Sequence, residues 1–315
     1  MKKLWVTWEE QPRNESMANL LDVPLEKLES TLPKGVRHAV LFLETLALLI
    51  RTRPRYLFVQ NPSLMLALEA VIFRPFFNYT LIIDAHNGGL FPLEGHSKLL
   101  NRLAKFVAVR ANWVIVTNEF LATEIKGWGA RPIVFPDPLP DLESYILEPK
   151  ERDIFQLFFV CTWSADEPFL DVIKLFRKTL SDQPICLVVS GNHKNRIPLN
   201  EIPKNVKLTG FLSKQDYYNT FASCDGAIIL TNRENCLNCG AYESVSLEKP
   251  GILANTKALK DYFNKGFIHT DLTENSIEEN ILRLVNNREA LKKDCVALKK
   301  SLLAKTTDTE FYIEN

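Results

Sequence analysis

The sequence has no net charge, with 38 lysines and arginines against 38 aspartates and glutamates. It also lacks any Lys/Arg tract, so no whole-chain field draws in a polyanion, and nucleic acid is not an expected partner. Long hydrophobic runs are missing as well. The longest apolar stretches, around Ala39 to Ile50 and Leu64 to Phe73, are interrupted by Glu44 and Glu69 and fall short of the roughly 20 residues that span a bilayer. The opening MKKLWVTWEE meets tryptophan and paired glutamates at once, without the apolar run and cleavage site of a signal peptide, so a cytoplasmic location is expected. The Cys236-Leu-Asn-Cys239 pair has no second CxxC or HxxxH to complete four ligands, and no metal site is expected. Cys161 and Cys186 sit in apolar, strand-like runs, which suits a reducing compartment. Neither EEQPRNES nor GNHKNR supplies the GxGxxG turn of a dinucleotide site, which argues against an NAD-dependent oxidoreductase.

What is present is ordinary globular composition, 46% apolar and 24% charged, in a chain of 315 residues. That length suits two domains of about 150 residues each. Short β-branched or aromatic runs alternate with amphipathic segments, the pattern of repeated βα units around parallel sheets. In the first half the expected strands are Leu4 to Trp8, Tyr56 to Gln60, Thr80 to Asp84, Trp113 to Thr117 and Pro132 to Phe135, with helix over Val36 to Arg51. In the second half they are Leu157 to Thr162, Ile185 to Ser190, Val206 to Leu208, Ala227 to Leu230 and Gly251 to Ala254. Between the two sets, PDPLPDLESYILEPKERD is rich in proline and charge and is the expected linker. The fold class is therefore α/β, with Rossmann-like parallel-sheet domains over 1–140 and 151–290. After Gly266 the chain reads as largely helical, and a C-terminal helix and tail over 291–315 can return to the N-terminal domain.

Ligands of such sheets bind outside the carboxyl ends of the strands, so the residues just after each strand matter most. The most informative stretch runs from Leu230 to Thr256, a strand, loop, helix and strand in succession. Leu237 to Ala241 fall at or just before the helix start, where open N–H groups and the positive dipole end favour a phosphate. Gly240 permits close backbone approach, and Glu243, expected within the first turn, is placed to accept hydrogen bonds from a ribose diol. A first-turn glutamate that merely compensates the helix dipole reads the same way. After the strand ICLVV, Asn192 and His193 can reach a base or diphosphate, as can a plain polar turn.

The segment Ala241-Tyr242-Glu243-Ser244, followed by Glu248-Lys249-Pro250, resembles the donor signature of family 4 glycosyltransferases of the GT-B fold, enzymes of bacterial polysaccharide and glycoconjugate biosynthesis. NVKLTGF, with Gly210, resembles the family's lead-in strand and loop, and the similarity covers Leu157 to about Phe267. The resemblance implies two domains facing a central cleft, and transfer of a sugar from a nucleotide sugar to a glycan or lipid-linked acceptor. It implies retention of configuration, with no cofactor and no metal and a UDP- or GDP-sugar as substrate. Gly240, Ala241, Tyr242 and Glu243 become donor-binding residues, and Asn235 stands where the family has its first acidic residue, with Glu234 one position earlier. The basic residues usual after the first strand of the second domain are absent from TWSADEP, so Arg233, Lys194 or Arg196 must substitute.

Asp84-Ala85-His86-Asn87-Gly88-Gly89 follows an apolar strand. The resemblance suggests His86 beside the reacting sugar, with Asp84 orienting its ring. The alternative is a histidine that caps the strand end through its ring nitrogens. The following glycines allow unusual backbone angles or a mobile loop. In Asp166-Glu167-Pro168, an N-terminal helix cap by Asp166 or Ser164 is preferred over a catalytic role. The apolar helices over Leu41 to Ile50 and Leu64 to Phe77, with arginines nearby, invite a membrane-surface reading, against which core packing is the simpler expectation. Peripheral contact with the inner face of a membrane would suit a lipid-linked acceptor. Competing functions are a nucleotide-sugar epimerase of the same fold and a non-catalytic partner protein.

Overall fold

The computed structural model describes residues 2–9, 11–61, 63–146 and 153–308. These fall into two compact units, one ending at Pro138 and the other running from Leu139 to Asp308. Residues 147–152 of the expected linker lie outside the described residues.

The first unit holds strands β1 (Lys3–Thr7), β2 (Leu25–Lys27), β3 (Tyr56–Asn61), β4 (Thr80–Ala85), β5 (Trp113–Val116) and β6 (Pro132–Val134). They form one parallel sheet in the order β2-β1-β3-β4-β5-β6. Its helices are α1 (Pro12–Leu20), α2 (Lys34–Thr52), α3 (Leu64–Phe77), α4 (Asn87–Leu90), α5 (Lys98–Arg110) and α6 (Glu119–Trp128). The strands read as continuous apolar runs because a parallel sheet is covered on both faces. Alternation then divides the residues. Leu4, Val6, Leu57, Val59, Leu81 and Ile83 pack with the helices of one face, while Trp5, Phe58, Ile82 and Ile115 pack with Met17 and Ala18 of α1 on the other.

The second unit repeats the scheme with β7 (Phe155–Phe159), β8 (Ile185–Ser190), β9 (Val206–Gly210), β10 (Gly226–Ile229), β11 (Gly251–Ala254) and β12 (Phe267–Thr270). Their order is β12-β11-β10-β7-β8-β9, again parallel. The flanking helices are α7 (Phe169–Arg177), α8 (Lys214–Ser223), α9 (Cys239–Ser246), α10 (Lys257–Tyr262), α11 (Glu274–Asn286) and α12 (Arg288–Asp308). Cys295, Leu298 and Leu302 of α12 pack in one core with Ala241, Tyr242 and Val245 of α9. Residues 309–315, the expected tail, lie outside the described residues.

Two strands depart from expectation. β2 is three half-buried residues, Leu-Glu-Lys, too short and polar to show a period, and it is recruited as an edge by Trp5 pairing with Leu25. β12 is not among the expected strands: Phe267 to Thr270 precede the helix expected from Ser276 and become strand by pairing with β11. The helical expectation holds from Glu274 onward. Core packing of the apolar helices holds for Leu41, Leu48, Leu49, Leu66 and Ala67 but fails for Leu43, Ile50, Ile72 and Phe76, which are exposed.

Glu69 of α3 is the other exception inside this core. It is 1% exposed, and neither carboxylate oxygen has a hydrogen-bond partner among the described residues. Burial pushes its carboxyl up to about 8 from the ordinary 4.5. The native state therefore keeps a proton that the unfolded chain releases, and stability falls as pH rises across that window. Urea melts at pH 5 and pH 8 should show the loss, and Glu69→Gln should abolish most of the difference between them.

Candidate functional site

In each sheet the chain reverses its direction of growth once, between β1 and β3 in the first unit and between β7 and β10 in the second. Such switch points open a crevice at the carboxyl ends of the strands. In the second unit the loops after β7 and β10 meet there. Thr231 Oγ1 donates to Asp166 Oδ2 at 2.7 Å, and Arg233 pairs with Asp166 at 3.3 Å. Burial acts to raise the Asp166 carboxyl, but hydrogen bonds from Thr231 and Ser164 and the charge of Arg233 outweigh it and hold it below the ordinary value. Asp166 is therefore a bridge between loops and not a helix cap. The cap position of α7 belongs to Pro168, which has no side-chain hydrogen bond to give. Glu167 accepts from the Thr162 N–H at 2.9 Å and the Ser164 N–H at 3.2 Å, so the acids of this loop fix the loop itself.

Glu243 is the fifth residue of α9 and lies beyond the first turn, which holds no acidic residue. Nor is it the exposed glutamate of a dipole pair. Tyr217 Oη of α8 donates to its Oε2 at 2.8 Å and Tyr218 Oη to its Oε1 at 3.4 Å. Burial raises the Glu243 carboxyl, while hydrogen bonds from the two tyrosines and the charge of Lys214 act against it. Each oxygen keeps lone pairs for further donors. The fixed orientation comes from neighbouring rings: Tyr217 packs at 5.3 Å from Tyr218 and at 5.4 Å from Phe158.

Gly240 is required by packing, since a Cβ there would lie 2.8 Å from Val160 Cγ1. The close approach expected of it is thus made to the end of β7. Ala241 and Tyr242 are core residues, the latter tilted against Tyr262 and edge-on to Phe263, and the Ala241 N–H donates to Asn238 O at 3.0 Å. Asn238 caps α9 without a side-chain hydrogen bond. Arg233 and Glu234 are exposed on the loop after β10, with Asn235 half-buried beside them. Asn192 is exposed and its Oδ1 accepts from the Lys194 N–H at 3.2 Å, the geometry of a local polar turn. Gly210 ends β9 with φ of +71° and bridges Gly191, whose φ is +86°. A Cβ on Gly191 would strike Cys161 O at 2.1 Å, so the ends of β7 and β8 approach this closely because position 191 is glycine, while Gly210 is set by its left-handed φ.

In the first unit, Asp84 ends β4 and is 1% exposed. Arg13 of α1 grips it, with Nε 3.0 Å from Oδ2 and Nη2 2.8 Å from Oδ1, and also donates to Phe135 O at 3.0 Å and pairs with Asp137. Burial acts to raise the Asp84 carboxyl, but the charge and hydrogen bonds of Arg13, with His86 close by, dominate and hold it well below the usual carboxylate range. His86 Nε2 stands 3.6 Å from Asp84 Oδ2, within ion-pair reach. At the N-cap of α4 its ring makes no capping hydrogen bond; its backbone carbonyl receives Gly89 N–H at 2.9 Å. Gly88 and Gly89 sit in α4, and Gly89 packs against Asn61. Left-handed angles occur later, at Leu93, Glu94 and Gly95. A hollow of about 700 Å³ opens after β1, lined by Glu9, Glu29, Arg37 and Glu44 among others.

No family model and no curated protein matches this sequence. Solved structures do. HepE of Anabaena, in complex with UDP and glucose, superposes with a TM-score of 0.75 at 12% identity, covering 99% of this chain and 100% of that one. The fold is GT-B. The lipopolysaccharide outer core galactosyltransferase WaaB superposes over 100% of both chains with a TM-score of 0.69 at 13% identity. A UDP-N-acetylglucosamine 2-epimerase of Listeria monocytogenes, described as putative, covers 97% of this chain and 96% of its own at a TM-score of 0.63 and 11% identity.

Within this GT-B chain, sequence reasoning missed Arg13, Tyr217 and Tyr218. Arg13 stands in EEQPRNES, which reads as loop, and only Pro12 at a helix start hinted otherwise. The tyrosines sit in SKQDYYNTF, whose weak period gives no face to assign. Among the described residues no cluster of three or more His, Cys, Asp or Glu is placed to hold a metal ion, and none of the six cysteines forms a disulfide. Arg13→Met leaves a buried carboxylate unpaired and should destabilise the chain by about 3–5 kcal/mol. Tyr217→Phe removes one hydrogen bond to a charged group and should lose about 1.5–3 kcal/mol. Urea denaturation of the full chain measures both, and Arg13→Met with Asp84→Leu should recover part of the first loss.

Proposed function

We propose that the protein is a glycosyltransferase that moves a sugar from a UDP- or GDP-sugar to a glycan or lipid-linked acceptor, with retention and without a metal. The observation that carries the proposal is the Glu243 carboxylate. It is fixed by two tyrosine hydroxyls, with lone pairs to spare, on the helix that follows the switch-point strand β10. A preorganised carboxylate suits a vicinal diol, because it accepts hydrogen bonds from two hydroxyls without reorganising. The likeness to HepE, solved with UDP and glucose and also with UDP-glucose, supports a nucleotide-sugar donor.

In this reading the second unit binds the donor. Glu243 holds the ribose, and the uncapped start of α9 with Cys239 and Gly240 faces the diphosphate. Arg233 supplies the cation that the loop after β7 lacks, exchanging Asp166 for phosphate oxygens. Asn192, Glu234, Asn235 and Gly210 border the donor through their loops. The first unit binds the acceptor, for which the hollow beside Glu9, Glu29 and Arg37 offers both acceptors and donors of hydrogen bonds. His86 touches the reacting sugar. Asp84 is a positioning residue that orients the imidazole, and Arg13 keeps Asp84 ionised for that task. Departure of the diphosphate is stabilised by fixed dipoles and a cation, and the acceptor hydroxyl attacks from the same face of the sugar.

A nucleotide-sugar epimerase is the second reading, favoured by the likeness to the Listeria protein. Incubation with a UDP-sugar alone separates the two, since an epimeric nucleotide sugar appears only under the second. UDP should raise the melting temperature of the wild type. Glu243→Gln should weaken UDP binding at least tenfold by calorimetry, and unchanged affinity would remove the site. His86→Ala should lower kcat by about a hundredfold or more with little change in donor affinity, as expected of a group acting at the transition state.

A further inference from the structure

The loop between β7 and α7 holds an anion of its own. Glu167 accepts from the Thr162 N–H at 2.9 Å, the Ser164 N–H at 3.2 Å and the Thr162 hydroxyl at 2.9 Å, and the Cys161 thiol stands 3.4 Å from the same carboxylate. Burial, and after it the charge of Glu167, raise the Cys161 thiol, which therefore stays protonated as a donor. All of these donors are neutral, and among the described residues no lysine, arginine or histidine pairs with Glu167. A carboxylate satisfied by backbone N–H groups, a hydroxyl and a thiol stands in the surroundings of a bound oxyanion.

The donors do not depend on Glu167 for their direction. Trp163, between the two N–H groups, is left-handed at φ of +62°, an angle that a bulky residue rarely adopts. Its indole is buried, packs 4.9 Å from the Phe169 ring and donates from Nε1 to Ser190 O at 2.8 Å. Ser190 Oγ accepts from the Cys161 N–H at 3.0 Å, so β8 holds the start of the loop as well. The core and the neighbouring strand thus set the backbone, and a left-handed residue within a turn directs the N–H groups around it inward to form a concave anion site, or nest. The nest lies at the carboxyl end of β7, one of the two strands flanking the switch point, where such sheets bind ligands. Glu167 itself is half-buried and lines a hollow of about 410 Å³ with Phe169, Asp171 and Asn232 among others, which gives the carboxylate room to swing out.

We infer that the loop after β7 is a phosphate-binding nest that the chain keeps filled with Glu167, and that a phosphate group enters by displacing this carboxylate. A phosphate carries more negative charge than the carboxylate and offers one more oxygen to the donors that converge there. Glu167 is then an autoinhibitory contact. It satisfies the donors while the nest has no ligand, and it sets a threshold that a more weakly charged anion does not cross. The inference does not rest on the donor reading, because inorganic phosphate reports on the nest whether or not a nucleotide binds.

The test titrates the full chain with inorganic phosphate by calorimetry at constant ionic strength, which holds screening fixed. Glu167→Ala opens the nest and should bind phosphate about tenfold more tightly than wild type or better, roughly the worth of one hydrogen bond to a charged group. Glu167→Gln leaves a carbonyl oxygen for the Thr162 N–H and removes only the charge, so its gain should be smaller, about threefold. That variant decides the matter if the alanine variant fails to fold. Asp171→Asn removes a neighbouring charge outside the nest and should leave phosphate affinity within about twofold of wild type. Wild-type affinity in the Glu167 variants would overturn the inference and reduce Glu167 to a clasp for its own loop. An equal gain in Asp171→Asn would also overturn it, since the effect would then belong to the field of the surrounding acids and not to the nest.

Discussion

Burial of both faces of two parallel sheets is the constraint from which the rest follows. A strand with helices above and below has no polar side chain to spare along its length, so polar groups collect where it ends. In the first unit that edge gathers Asp84 and His86, and in the second it gathers Asp166, Thr231 and the start of α9. Each cluster is then stiffened by a partner from a different element. Arg13 reaches from α1 to the end of β4, and Tyr217 reaches from α8 to α9. Both partners approach a carboxylate that would be poorly placed alone.

The two carboxylates are shifted in opposite directions. Asp84 meets a full positive charge and is held low, whereas burial raises Glu243 against the tyrosine hydroxyls that act to lower it. A charge locked by an arginine is suited to orienting a neighbour. A carboxylate held by hydroxyls, which other hydroxyls can imitate, is suited to recognising a diol. Differences of this kind, set by surroundings and not by residue type, are how one side chain serves separate tasks.

Much of the architecture was legible because the strands are apolar on both faces and the breakers between them are plain. Ten of the strands announce themselves as runs such as YLFVQ or ICLVV. What stayed hidden was short or set by partners. Leu25 to Lys27 is strand only because Trp5 draws it in, and Phe267 to Thr270 only because β11 needs an edge. His86, Asp84 and Glu243 stand out as candidates from their place near strand ends and from a family resemblance, and the roles given to them are those proposed above. Arg13 and Tyr217 do not, because their roles depend on residues 71 and 26 positions away. The expectation for Glu243 erred on depth, since helix position alone cannot reveal that two rings from another helix lie over it. The expectation for Asp166 erred for a similar reason, since it pairs with a threonine on the loop after the neighbouring strand β10 instead of capping its own helix.

Gly240 carries a consequence for how this protein tolerates change. With Val160 filling the space where a side chain would begin, a single added methyl group must lever α9 away from the tip of β7, and Glu243, three residues along the same helix, travels with it. A saturation screen scored on catalysis would mark position 240 as intolerant and suggest direct ligand contact. Part of that intolerance would be displacement, a loss of registry transmitted along a rigid rod, because the space beside Gly240 is already filled by the Val160 side chain.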